Sequence, residues 1–175
     1  TAWQMVFQYG KILPGQRVLV HGAAGNVGSY AVQFAKEAGA EVIATAHTKD
    51  LDFVRSLGAD TVIDVSNAPF DAGLTDLDIV LDTVGGETQT RSFAVLKTGG
   101  ILVSSASQPD QAMAAEHGVH AVFFYVEVTT ALLTAIAERI DAGTLKTNPG
   151  ETLPLSQARQ AHEMLAGAPH KRGKI

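Results

Sequence analysis

The stretch "VLVHGAAGNVGSYAVQFAKEAGAEVIATAHTKD", residues 18–50, decides the fold. It opens on the apolar run Val18-Leu19-Val20. A run without alternation suits a strand covered on both faces. Gly22, Gly25 and Gly28 then punctuate the chain. Beyond them Val27, Ala31, Phe34, Ala35 and Ala38 recur at three- and four-residue spacing. They form one face of a helix, which Gly39 stops. Glu41-Val42-Ile43-Ala44-Thr45 is a second strand.

The same alternation continues outward. Leu51, Val54 and Leu57 give the next helix its buried stripe, and Gly58 ends it. Thr61-Val62-Ile63 is a third strand, residues 67–76 a polar loop, and Leu77-Asp78-Ile79-Val80-Leu81 a fourth strand. A helix follows over 87–96, then a fifth strand over 100–103. A sixth strand rich in β-formers runs over 121–125. Val128, Leu132, Ile136 and Ile140 mark a longer helix. Residues 149–154 form a linker, and Ser156 is expected to cap a last helix carrying Ala158, Ala161 and Leu165. Six strands alternating with helices argue for an α/β fold, a doubly wound parallel sheet with helices on both faces and a C-terminal helical segment. Ligands bind such sheets at the carboxyl ends of the strands, at the switch point.

Composition narrows the classes. The chain has 175 residues, 46% hydrophobic and 18% charged, an ordinary globular balance with room for one core. No apolar run approaches the roughly 20 residues of a membrane span, so no membrane role is expected. There is no cysteine, which excludes disulfides and thiolate metal sites and points to a cytoplasmic address. Net charge is −5 with no basic block. Phosphate neutralisation needs clustered Lys and Arg, so nucleic acid is an unexpected partner. The chain begins without Met on the helix-like "TAWQMVFQYG" and stops at "GKI", where a strand would start. A fragment of a larger protein is the expectation.

The glycine turn carries the chemistry. Measured against G-x-G-x-x-G, residues 23–28 have Ala23 at the first glycine. Gly25 lets backbone approach a pyrophosphate, and Gly28 lets the helix pack close to the strand. The helix N-terminus from Asn26 offers free amides and a positive dipole end to an anion. After the second strand, dinucleotide sites for NAD commonly place a carboxylate for the adenosine ribose. No carboxylate stands at Thr45, Ala46 or His47, and Asp50 and Asp52 are expected to begin the next helix. Thr45, His47, Thr48 and Lys49 instead offer hydroxyls and positive charge, which suit a 2′-phosphate. The reading is NADP(H) over NAD(H). A methyltransferase is disfavoured, because its cofactor typically wants an acidic residue at that same strand end. His21 reads as a satisfied core histidine, Asp82 as a buried turn carboxylate. His117, His120 and His162 lack metal-ligand spacing.

These residues together resemble the medium-chain dehydrogenase/reductase superfamily, within it the zinc-independent quinone oxidoreductase-like branch. The resemblance runs through "TAW", "RVLVHGAAGNVG", "AVQFAKEAGAEVIATA", "LGADTVID", "DIVLDTVGG", "LKTGGILVS", "PLSQARQAHEML" and "RGKI". It implies that residues 1–175 are a dinucleotide-binding domain, with 1–16 a lead-in helix and 149–175 the linker, last helix and return segment. It also implies an N-terminal GroES-like substrate domain outside this sequence. By the same resemblance Ala24, Gly25, Asn26 and Val27 face the pyrophosphate. Thr45, His47 and Lys49 face the adenosine 2′-phosphate. Thr83 and Val84 line the groove. Ser104 and Ser105 end the fifth strand, and Phe123 and Phe124 the sixth; their backbone holds the nicotinamide carboxamide. Val65 departs from the aromatic residue that relatives hold near the adenine.

The activity implied is NADPH-dependent reduction of a quinone or an α,β-unsaturated carbonyl. The cofactor supplies the hydride and the protein orientation and electrostatics, so no catalytic residue is named. Two alternatives stand beside it: a non-catalytic NADPH-binding or redox-sensing module, and an enoyl reductase domain of a larger synthase. An apolar sixth strand at a sheet edge calls for cover. A homodimer through residues 121–125 would supply it.

Overall fold

A computed structural model describes residues 1–175. The chain divides into two compact units, Thr1–Thr129 and Thr130–Ile175. The first unit holds a six-stranded sheet in the order β3-β2-β1-β4-β5-β6, with every neighbouring pair parallel. The strands are β1 Arg17–Val20, β2 Glu41–Ala46, β3 Thr61–Asp64, β4 Leu77–Asp82, β5 Leu96–Ser104 and β6 His120–Phe123. Helices α1 Gly28–Glu37, α2 Leu51–Ser56, α3 Gly86–Ser92 and α4 Gln111–Glu116 connect them and flank the sheet. β1 and β4 are adjacent, and the chain winds away from them in opposite directions. The switch point therefore lies between their carboxyl ends, as expected for the doubly wound arrangement.

The apolar runs form strands because both sheet faces are covered. Val18, Leu19, Val20, Val80, Leu81, Leu102 and Val103 are all fully buried. One face packs Leu19, Leu77, Val80 and Leu102 against Phe93, Val95 and Phe70. Burying side chains of this size stabilises by roughly 1.5–3 kcal/mol each. The crossover from β3 to β4 contains no helix. Phe70 covers the sheet there, 5% exposed, with its ring edge-on to His21 at 4.5 Å. The Arg91 guanidinium lies 5.5 Å above Phe70 and grips the Asp71 carboxylate with two of its nitrogens.

Several element boundaries differ from the sequence reading. β5 begins at Leu96, not at residue 100, because a register shift opposite Leu77 and Ile79 lets the strand pass through its glycine pair. Gly99 takes φ +77°, and a Cβ at Gly100 would stand 2.9 Å from the Lys97 carbonyl. The preceding helix correspondingly stops at Ser92 and tightens into a 3-10 turn, Phe93–Val95. Helix α4 is an addition. Asp110 caps it by accepting from the amides of Ala112 and Met113. β6 is an edge strand as expected, but it ends at Phe123, leaving Phe124 and Tyr125 outside the ladder. The lead-in segment is a π-helix, Gln4–Tyr9, which buries Gln4, Met5 and Val6.

The second unit holds α5 Thr130–Asp141 and α6 Ala158–Leu165. Ser156 does not cap α6. Pro154 starts a 3-10 turn, Leu155–Gln157, whose closing amide bonds the Pro154 carbonyl at 2.8 Å, so Gln157 takes the cap position. Near the C-terminus Lys174 forms a single parallel bridge to Pro149 rather than a strand. No helix is long and apolar enough to cross a membrane.

Candidate functional site

A cleft of about 510 Å³ opens at the carboxyl ends of β1, β2, β4 and β5. Its floor is the glycine turn. Gly22 makes the sharp bend at φ +65°, where a Cβ would stand 2.6 Å from the Thr83 hydroxyl. The tight-turn glycine is therefore Gly22, one residue before Ala23. Gly28 has a different task. A Cβ there would lie 2.2 Å from the Gly22 carbonyl oxygen and 2.8 Å from Ala23 Cα. The start of α1 thus packs directly on the turn, as the sequence pattern requires. The amide of Gly25 closes the turn on the Gly22 carbonyl at 2.9 Å, and its carbonyl accepts the Ser29 amide at 3.0 Å. The amides of Asn26, Val27 and Gly28 donate to no acceptor in the chain. They stand at the positive end of a ten-residue helix. A tight turn with free backbone donors fits a diphosphate.

The cleft gathers much of the expected set. Ala24, Gly25, Asn26 and Val27 line it from the turn. Thr45 and His47 line it from the end of β2, and Thr83 and Ser105 from the ends of β4 and β5. Lys49, Val84, Ser104, Phe123 and Phe124 do not. Val84 is half exposed beside the turn, whereas Ser104 is buried behind it. Phe124 stacks on Tyr9 at a centroid distance of 4.4 Å, and Phe123 meets Tyr125 edge-on at 5.2 Å. Val65 lies outside the cleft lining.

Two expectations about the loop after β2 need correcting. Thr45 does not offer its hydroxyl to a ligand. Its Oγ1 bonds His21 Nδ1 at 3.2 Å and accepts the Gly22 amide at 3.3 Å, with the side chain buried. Nor is the loop free of carboxylates. A 3-10 turn, Thr48–Asp50, folds Asp50 back so that it lines the cleft while preceding α2. The signal was an Asp standing just before an apolar helical stripe. It reads as a helix start, and the structure gives it that position and the cleft as well. Thr48 donates to Asp64 Oδ2 at 2.7 Å, and His47 Nδ1 lies 3.1 Å from the Ser66 hydroxyl. The Thr48 hydroxyl, ahead of the opposing cost of burial, and then Ser66 and Asn67 hold the Asp64 carboxyl below its ordinary range.

Behind the cleft lie two buried polar clusters. In one, His21 sits between Thr45 and Ser92, with Nε2 2.9 Å from Ser92 Oγ. Ser92 gives its own proton to the Thr88 carbonyl at 2.7 Å. Nε2 therefore carries the imidazole proton, and Nδ1 accepts from Thr45. Burial pushes His21 down to about 4, against the attraction of Asp82. It is a satisfied core histidine. In the other cluster, Asp82 is fully buried and accepts from Val84, Gly85, Gln89 and Ser104. It is a turn carboxylate, as the sequence suggested, with a wider reach. No three His, Cys, Asp or Glu side chains converge into a metal site.

Comparison with known proteins gives consistent likenesses. A family profile described as zinc-binding dehydrogenase matches residues 57–175. The polyketide synthase GfsB of Streptomyces halstedii is 34% identical over 100% of this chain, which spans 3% of that protein. The mitochondrial NAD(P)H oxidoreductase RTN4IP1 of Mus musculus is 30% identical over 99% of this chain and 52% of its own length. The quinone oxidoreductase of Coxiella burnetii superposes with a TM-score of 0.90 at 28% identity, over 98% of this chain and 55% of that one. The chain thus spans about half the length of these two oxidoreductases.

Proposed function

The chain belongs to the zinc-binding dehydrogenase family, in its quinone oxidoreductase-like branch, and we propose from this premise that it is the cofactor-binding part of an NADP(H)-dependent reductase of quinones or α,β-unsaturated carbonyls. The fold is an NAD(P)-binding Rossmann fold. The observation that carries the reading is the glycine turn at the switch point, with the Asn26, Val27 and Gly28 amides unused. Those amides bind the diphosphate and orient the dinucleotide across the ends of β1 and β4. The bound nicotinamide supplies the hydride. Thr83 and Ser105 line the wall toward the ring, and the backbone at Phe123 and Phe124 is assigned the carboxamide. A separate substrate domain provides the opposite wall. The proposed address is cytoplasmic, which the lack of cysteine suits.

NADP(H) selectivity rests on His47, Thr48 and Lys49. A second reading, NAD(H), is favoured by one observation: Asp50 lines the cleft, and a carboxylate there accepts ribose hydroxyls and repels a phosphate. Calorimetric titration with NADPH and NADH decides between them. A tenfold preference for NADPH, about 1.4 kcal/mol, supports the phosphate reading. Equal affinities overturn it. Turnover is tested on the full-length protein by loss of NADPH absorbance with a quinone or an enone. A tight complex without consumption turns the reading to a sensor. Likeness to a polyketide synthase favours an enoyl thioester as the alternative acceptor, read by the same assay. The proposed homodimer joins two copies through the β6 edge, so His120→Glu shifts the protein toward monomer in light scattering.

A further inference from the structure

We propose that Asp82 is a positioning residue, whose buried carboxylate fixes together the loops after β4 and β5 and so sets the cleft wall that receives the nicotinamide half of the dinucleotide. The proposal rests on the nucleotide-binding reading above.

Asp82 is the last residue of β4 and has no exposed surface. Oδ1 accepts the Val84 amide at 2.9 Å and the Gly85 amide at 2.8 Å. Oδ2 accepts the Ser104 hydroxyl at 2.8 Å and Gln89 Nε2 at 2.9 Å. A turn cap accounts for the first pair only, since it is local to the β4 loop. The second pair comes from the end of β5 and from α3. Ser104 Oγ in turn accepts the amides of Ala106 at 3.1 Å and Ser107 at 3.3 Å. Gln89 Nε2 also reaches the Ser107 carbonyl at 3.0 Å. The main chain adds one more tie, from the Ser105 amide to the Asp82 carbonyl at 3.0 Å. One carboxylate therefore holds residues 83–85 and 104–107 in mutual register.

Thr83 and Ser105 each follow directly on a residue of this cluster, and both line the cleft. Asp82 itself is sealed from the ligand, so it acts through them. Burying a carboxylate costs several kcal/mol unless its oxygens are saturated by donors. A solvent-exposed Asp would cap the turn without that cost. What burial adds is a common anchor for two loops that are distant in sequence. The topology says which half of the ligand they meet. The ribose of the adenosine lies beyond the end of β2. The ends of β4 and β5 lie across β1 from it, in the strand order β2-β1-β4-β5. Their loops therefore face the nicotinamide half.

The test compares each protein's affinity for a whole dinucleotide with its affinity for the adenosine half alone. The ligands are NADPH or NADH, whichever the wild-type chain prefers, and 2′,5′-ADP or 5′-AMP to match. Asp82→Asn keeps the shape but presents an NH2 to groups that are themselves donors. Its affinity for the dinucleotide is expected to fall at least tenfold, and its affinity for the adenosine half less than twofold. Hydrogen exchange at residues 83–85 and 105–107 rises in parallel. Ser104→Ala leaves the Val84 and Gly85 bonds in place and shows a smaller loss in the same direction. It decides the matter by the same ratio if Asp82→Asn does not fold. Equal losses for both ligands, or no loss for either, overturn the positioning role while leaving nucleotide binding intact. A wild-type chain that binds neither ligand overturns the nucleotide reading and this proposal with it.

Discussion

Behind the ends of β1, β4 and β5 the side chains of His21, Asp82 and Ser104 are buried and paired, whereas the loop after β2 carries most of its polar groups at the surface. His21, Asp82 and Ser104 are each at most 1% exposed, and each has at least two partners. His47, Thr48 and Lys49 are exposed, and the side chains of His47 and Thr48 bond Ser66, Asp64 and Asn67. On the proposed function, the first region backs the wall for what every dinucleotide has in common, the diphosphate and the nicotinamide, and the second is assigned what differs between the two cofactors. Substitution in the buried region leaves orphaned donors or displaced backbone, which is costly. Substitution in the loop changes a screened surface charge, which costs little. On that proposal, selectivity sits where it is cheapest to alter.

Four perturbations test this contrast, in falling order of effect. Gly28→Ala drives a methyl group into the Gly22 carbonyl, which cannot move without opening the turn. Thermal unfolding should show about 3 kcal/mol of lost stability, the upper range for overpacking, and titration no measurable nucleotide binding. The second perturbation is acid. His21 is neutral in the fold down to about 4, whereas the unfolded chain takes up the proton near 6.5. Between those values the unfolded state binds more protons, so stability falls as pH falls. Denaturant melts should record about 3 kcal/mol lost across that window, and His21→Asn should flatten the slope there.

Thr45→Val comes third. It leaves His21 Nδ1 and the Gly22 amide without their shared partner, for a loss of about 2 kcal/mol in the same melts. A loss below about 0.5 kcal/mol would return Thr45 to the surface group and weaken the contrast. Lys49→Ala should have the smallest effect. Melting should be unchanged within about 0.5 kcal/mol, and NADPH affinity should fall up to tenfold with NADH unaffected. A stability loss as large as that of Thr45→Val would show the loop to be structural.

The sequence made the strands legible because buried parallel strands are continuous apolar runs, and it made the turn legible because glycine spacing is a backbone requirement. It was less informative wherever two roles share one residue. Both sheet faces are covered, so Thr45 shows no polar-apolar alternation with its neighbours that would give its direction. Asp50 stands where a helix begins and also lines the cleft, and only the fold of the 3-10 turn reveals the second placement. Gly99 and Gly100 look like a break between elements, yet they let β5 bulge through. Helix α4 buries only Ala114 and so leaves almost no apolar stripe to read. Its remaining sign was Asp110, a cap residue following Pro109.

The crossover between β3 and β4 has a consequence of its own. A covering helix shields a sheet redundantly, with several side chains sharing the task. Here a single aromatic ring, Phe70, acts as a stopper over His21, with Arg91 and Asp71 as its clasp. The rest of residues 65–76 is held mainly by polar ties, Ser66 and Asn67 to the loop after β2 and the Thr75 carbonyl to Arg17, so the buried cover of the sheet there depends on that one ring. Losing it would let water in beneath the glycine turn from the side facing away from the cleft.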